Sequence, residues 1–144
     1  MRSDSPVCQR HAPATSVIEP GRTDDRRAAL AAAIAARPDD PAPCTELGRL
    51  ELRAGEPARA EELLRRALAA EATAERHELL GTALLHQGRR DEALAALRAA
   101  LELEPERASA WNTAGKALGA LGRIPAAADA FLRASLPPEV VGDL

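Results

Sequence analysis

The stretch His77 to Pro105, HELLGTALLHQGRRDEALAALRAALELEP, carries the pattern that decides the fold. Apolar residues recur at helical spacing up to Gly88, pause over a polar turn, and resume as Ala93, Leu97, Ala100 and Leu101. Gly81 sits inside the first stretch and Gly88 closes it. The same glycine pair stands earlier as Gly48 and Gly55 and later as Gly115 and Gly122, at offsets of 33 and then 34 residues. A period in the low thirties with two helical patterns per unit marks a helical repeat array. Such arrays bury a core by stacking and leave a concave face for partners. The pattern predicts a binding module.

With Pro41, Ala74 and Ala108 as first residues, three units align. Position 7 is Leu47, Leu80 and Ala114, and position 8 is the first glycine set. Position 15 is Gly55, Gly88 and Gly122, each closing a first helix where the chain often needs a positive φ. The second helices are expected to open at Pro57, Asp91 and Pro125, residue types suited to a first turn or its cap. Their buried stripes are Ala60, Leu64, Ala67 and Leu68; then Ala93, Leu97, Ala100 and Leu101; then Ala127, Phe131 and Ala134. Small residues at positions 8, 20 and 27 let two antiparallel helices approach closely, with larger residues at 7 and 24 filling the space around the contact.

Upstream, Met1 to Arg22 carries Pro6, Pro13 and Pro20 and no apolar periodicity, and reads as a flexible arm. Thr23 or Asp24 is a suitable cap for a helix bearing Leu30, Ala33 and Ile34, which the Pro38–Pro41 segment ends. The expected organisation is an arm over 1–22, a half-repeat helix over 23–37, repeats over 41–73, 74–107 and 108–136, and a tail over 137–144. The fold class is all-α, a helical-repeat solenoid.

Composition narrows the function. The chain has 144 residues and a net charge of −3, which gives no reason to expect nucleic acid or an anionic membrane as partner. No apolar run approaches the roughly 20 residues of a membrane helix, and Met1–Ser16 lacks a signal-peptide apolar segment, so a cytoplasmic location is expected. Cys8 and Cys44 are too few for a disulfide framework. His11, His77 and His86 are too dispersed for a zinc site, and Cys44 and His77, both at position 4, read as packing residues. No activated nucleophile and no phosphate-cradling glycine loop is present. The reading is of a non-enzyme with neither cofactor nor metal.

The run Ala110–Trp111–Asn112–Thr113–Ala114–Gly115–Lys116–Ala117–Leu118, followed by Ala127, Phe131 and Ala134, resembles the tetratricopeptide repeat. The middle unit resembles it too, with Leu80, Gly81, Leu84, Ala93, Leu97, Ala100 and Pro105. The resemblance covers Thr23 to about Leu136. Glu51 departs from the pattern, standing where an aromatic is usual, and Cys44 and His77 replace the tryptophan of position 4. The first unit is one residue short between Ala67 and Gly81, which predicts a tighter or slightly rotated junction with the second.

What the resemblance implies about the site concerns the first helices, which line the concave groove in that family. The matching residues here are Thr45, Glu46, Arg49 and Arg53; Glu75, Glu78, Thr82 and His86; and Ser109, Asn112 and Lys116. One subfamily clamps the C-terminal carboxylate of heat-shock chaperones. At the clamp positions this chain has Thr45 and Arg49, Leu79, Ser109 and Thr113, which do not reproduce it. The groove is mixed in sign and predicts a peptide or helix carrying both charges.

The expected function is protein–protein interaction as an adaptor, assembly factor or chaperone. Two alternatives stand beside it: a three-repeat secretion chaperone for one client, and a scaffold region of a larger transferase-type enzyme. Ile124, Phe131, Leu132 and Leu136 place much apolar bulk at the last helix. Either the tail folds back over it or a second copy covers it, and a homodimer through the C-terminal repeat is the favoured expectation.

Overall fold

The computed structural model describes residues 20–135 as a run of seven α-helices. They are α1 (Pro20–Ala36), α2 (Pro41–Arg53), α3 (Pro57–Ala70), α4 (Ala74–His86), α5 (Arg90–Leu103), α6 (Ala108–Ala120) and α7 (Ile124–Ser135). The pairs α2/α3, α4/α5 and α6/α7 each pack as antiparallel hairpins. The second helix of each pair also packs on the first helix of the next, and α1 does the same on α2.

Helix boundaries follow local chemistry. Asp40 caps α2 by accepting a hydrogen bond from Ala42 N at 3.1 Å, and Thr73 caps α4 by accepting one from Arg76 N at 3.2 Å. Gly55, Gly88 and Gly122 hold φ near +80°, where an L side chain is strained, so glycine at position 15 is required by the turn itself. Two starts differ from expectation by one residue: α5 opens at Arg90 and α7 at Ile124. Arg89 offers no side-chain cap there; its guanidinium reaches Glu92 and Glu61 instead.

The first helix begins earlier than the sequence suggested. Pro20, with a φ suited to a first turn, opens α1 three residues before Thr23. The expected flexible arm therefore overlaps the helix at its last three positions; the rest of it, residues 1–19, lies outside the described residues, as does the tail over 137–144.

Packing repeats with the sequence. A Cβ on Gly48 would stand 3.0 Å from Leu64 Cγ, and one on Gly81 would stand 2.8 Å from Leu97 Cγ. On Gly115 it would stand 2.6 Å from Phe131 Cε1. Position 8 is thus the seat for the side chain of position 24 in each hairpin. Ala60, Ala93, Ala67, Ala100, Leu64 and Leu97 are fully enclosed. The third stripe is less so: Ala127 is buried, but Phe131 remains 39% exposed, because no described element lies outside α7.

Glu51 is buried, and its carboxylate accepts a hydrogen bond from Arg27 Nε at 2.7 Å, with Arg59 at 3.6 Å. The departure from an aromatic is therefore compensated by two arginines, one from α1 and one from α3. The short first unit shows as a connection of three residues between α3 and α4, against four between α5 and α6. No described helix is long and apolar enough to cross a membrane.

Candidate functional site

The first helices of the three hairpins touch one another, α2 to α4 and α4 to α6, while the second helices make no comparable contact with each other. Closer approach on that side makes it the inner face of the array. Positions 5, 9 and 13 follow one stripe at i, i+4, i+8, roughly opposite the core face carrying positions 4, 8 and 11.

Part of this face is stitched by ion pairs and hydrogen bonds. Arg26 of α1 reaches Glu46 at 3.0 Å, and Arg49 donates to the same carboxylate at 2.6 Å. Arg49 also pairs with Glu75, linking α2 to α4. Thr45 is buried; its Oγ1 donates to Pro41 O at 2.8 Å and accepts from Arg76 Nε at 2.8 Å. Glu78 pairs with Arg107 and accepts from Ser109 Oγ at 2.9 Å, linking α4 to α6. The hydrogen bond that Arg107 donates to Glu78, opposed by partial burial, raises the Arg107 guanidinium above its ordinary range.

The rest of the face is different. Arg53, His86, Asn112 and Lys116 are exposed and make no hydrogen bond or ion pair with the described residues. Thr82 is half-buried between them, its hydroxyl donating back to Glu78 O at 3.0 Å. Of the sequence-predicted groove residues, Thr45, Glu46, Arg49, Glu75, Glu78 and Ser109 thus join neighbouring helices, Thr82 bonds only within its own helix, and Arg53, His86, Asn112 and Lys116 are exposed without such a partner among the described residues. Three arginines of the stitching, Arg26, Arg76 and Arg107, lie off the aligned groove positions. Position 3 and the inter-unit residue carry arginine once each, so no periodicity could have flagged them.

A second surface lies on the outer side. Leu94, Leu97 and Leu101 of α5, with Trp111 and Leu118 of α6, line a cleft of about 410 Å³ rimmed by Arg98 and Glu102. Trp111 is fixed there by its indole N–H donating to Pro105 O at 2.7 Å and by Arg133 stacked 5.0 Å from the ring centroid. Cys44 packs with Ile34 and Ala67, while His77 borders a separate hollow with Arg65 and Leu84. Among the described residues no three His, Cys, Asp or Glu side chains gather as a metal site.

Hairpins stacked in register, with a small residue at each crossing and a left-handed glycine at each turn, define a helical-repeat solenoid, a class that works by presenting surface. Two family models, both described as tetratricopeptide repeat, match residues 18–82 and 78–139. The chain belongs to the tetratricopeptide-repeat family and is a protein–protein interaction module.

Solved structures share the fold. A crystal structure of MamA superposes with a TM-score of 0.75 at 24% identity, over 79% of this chain and 67% of that one. MamA of MSR-1 gives 0.71 at 25% identity, over 85% and 69%. MamA from Desulfovibrio magneticus RS-1 gives 0.73 at 21%, over 79% and 65%. The chain spans about two thirds of the length of these proteins. No curated protein matches the sequence.

Proposed function

We propose that the chain is a non-catalytic adaptor or assembly factor of the cytoplasm that holds a peptide or helix of another protein against its concave face. The observation that supports this reading is the division of that face. Part of it joins the helices to one another, while the rest leaves Arg53, His86, Asn112 and Lys116 exposed around Thr82 without a partner among the described residues. A rigid surface loses little entropy on binding, and unengaged polar groups supply specificity. The test is affinity capture from the native cell with mass-spectrometric identification, repeated with Thr82→Trp, which fills the centre of the face, and Arg98→Trp, which fills the outer cleft. The same protein should be lost with Thr82→Trp and kept with Arg98→Trp. The opposite result moves the site to the outer cleft.

A second reading concerns self-association. Ile124 is 64% and Leu132 57% exposed among the described residues, and with Phe131 they form a stripe at i, i+7, i+8 along α7. Asp129 and Arg133 stand together to one side of it, bonded to each other at 3.2 Å. Two antiparallel α7 helices about a two-fold axis would set each Ile124 against the other copy's Leu132, so a second copy is the occupant proposed for this face.

A further inference from the structure

The sequence predicts a groove of mixed charge, yet the ion pairs remove one sign from what a partner meets. Glu46 is shared by Arg26 and Arg49, Glu75 is taken by Arg49, and Glu78 by Arg107. Every carboxylate at an aligned groove position is therefore already paired within the chain. Beyond the ladder, the open strip holds Arg53, Thr82, His86 and Lys116 and, among the described residues, no acidic one. Resting on the reading of the concave face as the binding surface, we infer that this strip takes an acidic segment of the partner, with carboxylates set against Arg53 and Lys116.

Geometry sets the spacing of those carboxylates. Arg53 and Lys116 lie on α2 and α6, two first-helix steps apart at about 8–10 Å each, so roughly 16–20 Å separates them. An extended segment of about five or six residues spans that distance. Arg53 stands in the last turn of α2, where its charge also complements the terminal carbonyls, but that contribution is small and leaves the guanidinium open to a ligand. Lys116 has no such role, standing in the middle of α6. The whole chain is acidic at −3, so the strip stands out as a local group of cations.

The test is an NMR titration of the ¹⁵N-labelled full chain with an octaglutamate peptide, and separately with octalysine. Octaglutamate should shift the amides of Arg53, Thr82, His86 and Lys116, and the Arg53→Glu/Lys116→Glu variant should bind it at least tenfold more weakly. Octalysine should leave those amides unmoved. The inference falls if octaglutamate moves none of them, moves the outer-surface arginines equally, or survives the double reversal. Such a failure is separable from failure of the concave-face reading: native-partner capture still blocked by Thr82→Trp but indifferent to the double reversal keeps the face and rejects the acidic ligand.

Discussion

Arg27 and Glu51 join the first helix to the repeat array through a hydrogen bond of 2.7 Å between Nε and a carboxylate whose side chain is only 5% exposed. The repeat pattern places an aromatic ring there, packing by area alone. This chain instead buries a charge and surrounds it with Arg27 and Arg59, so docking of α1 depends on an ion pair.

Arg27→Ala should therefore destabilise the protein by about 1–3 kcal/mol, since the buried carboxylate keeps only the more distant Arg59. Replacing both partners with apolar residues, Arg27→Met with Glu51→Leu, should recover most of that loss. Denaturant unfolding of the two variants measures both, and an additive double mutant would contradict the coupling.

The glycines of position 8 should differ in how they tolerate a methyl group. A Cβ on Gly81 meets Leu97 at 2.8 Å and the Ala93 carbonyl at 3.2 Å, in the centre of the array. Overpacking of about 1–3 kcal/mol outweighs the helix propensity of up to about 1 kcal/mol that alanine gains. On Gly115 the clash is closer, but it falls on Phe131, which is part-exposed on the last helix and has room to turn. Thermal melts should rank Gly81→Ala as more harmful than Gly115→Ala; the reverse order would show that Phe131 is held in place.

His77 links stability to pH. Burial holds its imidazole below the ordinary value of 6.5, with Arg65 and Glu92 bordering the same hollow. The unfolded chain then takes up the proton first as pH falls, so stability is full above about 6.5 and declines below it. Glu61 acts in a different window. Burial raises its carboxyl, but Gln87, Arg65 and Arg89 more than offset this and bring it below 4.5, so its contribution is lost only in acid. A His77→Gln variant should have a flatter stability profile between pH 7 and 5.5. An unchanged slope would assign the effect to other groups.

Much of this was readable from spacing, and the reason is physical. Gly81, Gly88, Ala93 and Leu97 repeat because each hairpin solves the same packing problem, so identity at fixed intervals encodes the crossing and the turn. The polar contacts across units solve problems that occur once. Arg107 against Glu78, Arg76 against Thr45 and Arg27 against Glu51 have no counterpart in the other repeats, and only coordinates bring them together. Arg49 shows the consequence: its position marks it as a ligand contact, whereas its guanidinium is occupied by Glu46 and Glu75. Reversing it would weaken the junction as well as the face, which is why Arg53 and Lys116 are the sharper probes.

The last helix supplies a test of self-association. Light scattering at micromolar concentration should give the mass of a dimer, and Leu132→Glu should return the monomer, since that side chain is 57% exposed among the described residues and needs no room in the core. A monomeric wild-type protein would remove the second copy from this face.

The central claim is that the inner face formed by α2, α4 and α6 is where a partner protein sits. Site-specific photo-cross-linking tests it most directly, with the reactive group placed in turn at Thr82 on the inner face and at Arg98 on the rim of the outer cleft. The account predicts one partner protein joined to position 82 and absent from position 98, with cross-links lost when Arg53 and Lys116 are both reversed. The same partner joined to position 98 and not to position 82 would contradict it.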